Sequence, residues 1–134
     1  MFTQKLEQLA HAMAEFEGWG SGSGIASQGD RGTMSYRNHN PLNLKASPFA
    51  LGIRDGHAFF LNDNVGMFAG MWDIWMKCQG RTSTALTANS TLDKLIRVWA
   101  DADPSIQQRY LDHIYAKTGI SQLTKLKNII SYGS

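Results

Sequence analysis

The chain has one cysteine, no long apolar run and no secretory pattern in its first residues, and each absence narrows the field. A lone Cys78 among 134 residues rules out an internal disulfide and leaves a small buried thiol as its plain role. No apolar stretch is long enough to span a bilayer. Near the N-terminus, Gln4, Lys5, Glu7 and Gln8 interrupt any apolar signal core, so synthesis in the cytoplasm without a signal peptide is expected. The four histidines, His11, His39, His57 and His113, are scattered and form no ligand pair of the HExxH kind, so no metal is expected. Gly20 to Gly24 lacks both the preceding strand and the Lys-Ser/Thr ending of a phosphate loop. No repeat or low-complexity tail is present. No cofactor is called for.

What remains is an ordinary globular composition, 43% hydrophobic and 18% charged, with a net charge of +2. The length suits a single domain covering residues 1 to 134. Positive charge clusters in two places. Arg31, Arg37, Lys45 and Arg54 have no acid between them, and Lys117, Lys125 and Lys127 follow the last acid, Asp112. Such patches suit an anionic wall polymer or nucleic acid, or are simply a solvated face.

Periodicity predicts a mainly α, α+β fold of about five helices around one core, with a small β-hairpin wing after the first helix. Thr3 caps a helix running to about Glu17. A Gly-Ser segment over 18 to 32 then reads as a loop, being too close to the N-terminus for an interdomain linker. Residues 49 to 53 and 57 to 61 alternate around an Asp55-Gly56 turn and predict the hairpin. Asn62 or Asn64 caps the next helix, whose stripe includes Phe68, Trp72 and Trp75 and which Gly80 closes. Ser90 with Asp93 opens another helix, with Leu92, Leu95, Ile96 and Trp99 inward. Asp103-Pro104 opens one that Gly119 ends. Ser121 starts a last one, with Leu123, Leu126 and Ile130 inward.

Two stretches carry the candidate chemistry. On a helical wheel Glu17 lies within roughly 20° of Leu6 and Ala10, whereas Glu15 is roughly opposite Leu6. A carboxylate on an apolar face is costly, so burial is expected to raise its pKa and suit it to a general acid. The plain alternative is that the helix ends here, with Gly18 as its cap and Glu17 in water. In the second stretch Asn38, Asn40 and Asn43 surround an Asn-Pro turn, with Tyr36 and Arg37 before them. A turn employs one or two such asparagines for its own backbone. Three exceed that need, and amides pair well with sugar hydroxyls and N-acetyl groups. Trp19, Tyr36 and Tyr110 either stack on sugar faces or pack with a polar tip outward.

Phe16-Glu17-Gly18-Trp19, the Gly-Ser loop and Arg37-Asn38-His39-Asn40-Pro41-Leu42-Asn43-Leu44 together resemble the phage virion-associated lytic transglycosylases of the lysozyme-like superfamily. The likeness continues through Ala58-Phe59-Phe60, Gly66, Tyr110 and Thr118-Gly119-Ile120. The resemblance implies a peptidoglycan-cleaving enzyme with Glu17 as its acid and with Asn40, Asn43 and Tyr110 at the site. Trp19, Tyr36 and Asn38 join them as substrate-binding candidates from the residues themselves. Two departures stand out: Leu42 replaces a glycine, and His39 an asparagine. A hydrolase would need a second carboxylate, for which Asp30 is the better candidate and Asp55 is explained by its turn. One convincing carboxylate favours a lytic transglycosylase over a muramidase. A silent glycan-binding virion module and, more distantly, a nucleic-acid binder are the other classes. The expected partner is peptidoglycan, with virion components or a delivery system bringing the protein to the wall.

Overall fold

A computed structural model describes residues 2 to 19 and 37 to 131. Tyr36, Asp30 and the Gly-Ser segment over 20 to 32 lie outside them. Five helices and one hairpin make up the described elements. In chain order these are α1 (Gln4–Phe16), β1 (Gly52–Arg54), β2 (His57–Phe59), α2 (Asp63–Cys78), α3 (Leu92–Trp99), α4 (Pro104–Thr118) and α5 (Lys127–Ile130). The fold is mainly α with a two-stranded antiparallel sheet after the first helix. No described helix is long and apolar enough to cross a membrane. The chain divides into two compact units, Met13–Trp72 and a second made of Met1–Ala12 with Asp73–Ser134.

In the unit built from both chain ends, α1 begins at Thr3, whose hydroxyl accepts from the Leu6 N–H and donates to the Ile129 carbonyl. Leu6, Leu9 and Ala10 are buried, while Glu7, Gln8 and His11 are exposed, as the wheel requires. The end of α2 is closed by Gly80 in a left-handed conformation, with the Arg81 N–H returning to the Met76 carbonyl. Helix α3 buries Leu92, Leu95 and Ile96. Its cap is Thr91, which receives the Lys94 N–H, one residue later than Ser90; the Ser90 hydroxyl instead accepts from the Thr87 N–H. In α4 the Asp103 carboxylate takes the Ile106 N–H, Pro104 occupies the first turn, and Gly119 (φ 76°) ends the helix.

The last helix differs from expectation. It covers only Lys127–Ile130, and Leu123 is 73% exposed rather than inward. Residues 121 to 126 form turns around a single antiparallel bridge of Lys125 to Thr91, bonded to segment 88 to 93: the Leu92 and Asp93 N–H groups reach the Thr124 and Gln122 carbonyls, and the Leu126 and Lys127 N–H groups return to Ser90 and Ala88. Those distant backbone bonds replace the i→i−4 bonds that a helix from Ser121 would make.

The unit Met13–Trp72 holds the hairpin. Asp55 (φ 56°) and Gly56 (φ 78°) form the two-residue turn, both left-handed as its twist demands. Gly52 pairs with Phe59, Ile53 with Ala58 and Arg54 with His57. The Asn62 side chain caps the start of α2 by accepting the Val65 N–H at 2.9 Å. Along α2, Gly66 and Gly70 lie one turn apart and admit the Asn-Pro turn. A Cβ at Gly66 would overlap the His39 carbonyl, and one at Gly70 would overlap the Leu42 side chain. Leu42, at 1% exposure, is therefore a core residue, and its bulk goes into the space Gly70 leaves.

Candidate functional site

Glu17 stands at the end of α1. Its N–H still reaches the Met13 carbonyl at 3.0 Å, and the Gly18 N–H turns back to Glu15 with Gly18 at φ 90°. Gly18 is the cap, and Glu17 lies one residue past the end of α1. Met13 and Ala14 before it are fully buried, Glu15 is exposed, and Glu17 itself is half-buried. Trp19 follows, also half-buried, with its indole Nε1 shielded from solvent and without a hydrogen-bond partner.

The three asparagines separate into two roles. Asn38 is fully buried; its amide donates to the Arg54 carbonyl at 3.1 Å, and its side-chain oxygen accepts from Arg54 Nε at 3.0 Å. Asn40, also fully buried, donates to the Leu44 and Ala58 carbonyls at 2.8 and 2.9 Å and accepts the Leu44 N–H at 2.9 Å. Both amides thus serve the chain's own backbone, fastening the turn to the hairpin, where the sequence had suggested sugar contacts. Asn43 differs. It is left-handed (φ 56°), its N–H closes the turn on the Asn40 carbonyl, and its side-chain oxygen is buried with no hydrogen-bond partner.

Buried polar atoms without partners are uncommon and costly in folded proteins, and they mark positions that a ligand or water completes. Trp19 Nε1 is a donor and Asn43 Oδ1 an acceptor. The unit therefore offers one of each, on two residues that the sequence assigns to substrate. Tyr110 belongs to the other unit, on α4, and is buried at 1% exposure. Tyr36 and Asp30 lie outside the described residues.

His39 and Arg54 contribute in ways the sequence did not signal. His39 is left-handed (φ 52°), a conformation that the asparagine common at this place in the resembled family adopts readily. Its Nδ1 lies 2.9 Å from the Asp63 carboxylate at the start of α2. Arg54 lies over the Phe59 ring, 4.6 Å from its centre, and donates to the Arg37 carbonyl. The only hint was the long acid-free run in which Arg37 and Arg54 sit.

Other chemistry finds no support here. Among the described residues no group of three or more His, Cys, Asp or Glu side chains is placed to hold a metal. Burial pushes the Cys78 thiol up to about 12, against a lesser opposing effect of Lys77, so it carries no thiolate at neutral pH. No family model matches the chain, and comparison with curated proteins and with solved structures finds no similar protein.

Proposed function

We propose that the protein is a peptidoglycan lytic transglycosylase that uses Glu17 as both acid and base. The observation that carries the reading is the pair of buried, unpartnered polar atoms, Trp19 Nε1 and Asn43 Oδ1, in the same unit as a half-buried glutamate. An acetamido group presents one N–H and one carbonyl, the complement of an acceptor and a donor. N-acetylated sugars of the wall carry that group. The resemblance described from the sequence points the same way.

In this mechanism the Glu17 carboxyl protonates the oxygen between N-acetylmuramic acid and N-acetylglucosamine, and the C1–O bond breaks. The resulting carboxylate then takes the proton from the muramic C6 hydroxyl. That oxygen bonds to C1, giving a 1,6-anhydro ring and restoring the acid. No water enters, so no second carboxylate is required. Asn38 and Asn40 hold the turn that presents Asn43.

Mass spectrometry of a peptidoglycan digest by the native protein and by Glu17→Gln tests the reading. Anhydro-muramic products from the native protein alone are expected. Reducing-end muramic products would make it a muramidase. Intact strands in both samples, with retained binding to wall fragments, would make it a glycan-binding module.

A further inference from the structure

The turn over 39 to 43 is fastened differently on its two sides. Towards the hairpin it is bonded repeatedly. The Asn38 carbonyl accepts the Phe60 N–H at 3.0 Å, the Asn38 side chain holds Arg54, and Asn40 donates to the Leu44 and Ala58 carbonyls. Towards α2 the contacts are mainly of shape. The His39 carbonyl and Pro41 fill the place of a Gly66 side chain, and Leu42 fills that of Gly70. Such packing limits how closely the turn approaches, but it has no direction. One directional bond joins the two. His39 Nδ1 lies 2.9 Å from Asp63 Oδ1 in the first turn of α2. Among the described residues this is the only polar link between residues 39 to 43 and that helix.

An ionised carboxylate only accepts, so Nδ1 carries the hydrogen and the bond holds the ring in one orientation. Both ends of the turn are left-handed, His39 at φ 52° and Asn43 at φ 56°. The Asn43 N–H closes inside the turn, on the Asn40 carbonyl. The direction of its unpartnered Oδ1 therefore follows the attitude of the turn as a whole. A turn bonded along one side swings about that side unless a second point holds it, and the bond to Asp63 is that point.

We infer that His39 and Asp63 are a positioning pair, whose bond fixes the turn on α2 and so sets where Asn43 Oδ1 points. The inference rests on the glycan reading for what Asn43 meets, and it adds to that reading two residues that act through Asn43 rather than on the sugar. The two side chains are 47% and 42% exposed. A pair so exposed adds little to stability. Its loss is therefore felt in binding, where the aim of one carbonyl matters, and not in unfolding.

Calorimetric titration of the full chain with a soluble tetrasaccharide of alternating N-acetylmuramic acid and N-acetylglucosamine tests the pair. His39→Gly keeps the left-handed backbone and removes the ring, whereas His39→Asn keeps the backbone and supplies an amide N–H as donor to Asp63. His39→Gly and Asp63→Ala should each weaken binding by ~3- to 5-fold, and the double variant by no more than the weaker of the two. His39→Asn should recover most of the loss. Losses that multiply in the double variant would overturn the inference, since His39 would then act on the sugar itself. So would native affinity in His39→Gly, or a melting temperature in that variant that falls along with its affinity. A native protein that leaves the tetrasaccharide unbound would count against the glycan reading, and the pair is then decided in the free protein. With asparagine isotope-labelled, the Asn43 side-chain amide resonance, identified by its loss in Asn43→Gly, should shift in Asp63→Ala, which removes no ring. An unmoved resonance would overturn the pair whether or not sugar binds.

Discussion

Gly66 has no side chain because the His39 carbonyl oxygen occupies the place a Cβ would take. The turn that presents Asn43 rests against α2 at this point, and Pro41 closes on the same glycine. Gly66→Ala must displace backbone rather than a flexible side-chain tip. We expect a loss of about 2 kcal/mol or more in stability, measured by urea unfolding, with glycan binding reduced as the turn shifts.

The neighbouring asparagines should separate in a mutant series. Asn40→Ala leaves the Leu44 N–H and the Ala58 carbonyl without their partners in a fully buried site, and takes from the Leu44 carbonyl one of its two donors, the Ala58 N–H remaining. The cost should be on the order of 3 kcal/mol. Asn43→Gly keeps the left-handed backbone and removes the side chain that carries the unpartnered carbonyl, so stability should stay within ~0.5 kcal/mol while affinity for wall fragments falls if the proposed site is right. Equal effects of the two substitutions on stability would remove the distinction.

Asp103 gives the fold a dependence on acid. The Ser105 hydroxyl, then the Ile106 N–H, hold its carboxyl below the usual value, while the slight desolvation at the site opposes them. A depressed folded pKa contributes stability above the unfolded value, and that contribution is lost as pH falls through the folded one. Asp103→Asn keeps an amide oxygen as a cap but cannot ionise. Its melting temperature should therefore fall less than that of the native protein between neutral pH and pH below the carboxylate range.

Cys78 should resist thiol reagents in the native state at mildly alkaline pH and react fully in guanidinium, because its high pKa comes from burial that unfolding removes. Labelling at comparable rates in both conditions would contradict the buried, protonated thiol.

Local patterns were legible in the sequence and distant pairings were not. The buried arc of α1, with Leu6, Leu9, Ala10 and Met13 on it, follows from 100° steps between residues. The hairpin follows from Asp55-Gly56, two residues suited to the left-handed turn. Three adjacent asparagines, however, have the same chemistry in the sequence and different fates in the fold. What separates them is whether Arg54, Leu44 or Ala58 arrives beside the amide. The turns over 121 to 126, where a helix was expected, have the same cause, since their backbone partners lie about thirty or more positions earlier. Leu42 is accommodated in the core because Gly70, far along in the sequence, leaves room for its side chain.

The Thr3 hydroxyl bonded to the Ile129 carbonyl sets an order of events during synthesis. Ile129 lies 126 positions after Thr3, so this contact of α1 forms only once Ile129 has left the ribosome. Until then α1 lacks one of its anchors, and a nascent chain halted before Ile129 cannot supply it. The anchoring of the first helix thereby waits on a residue synthesised far later.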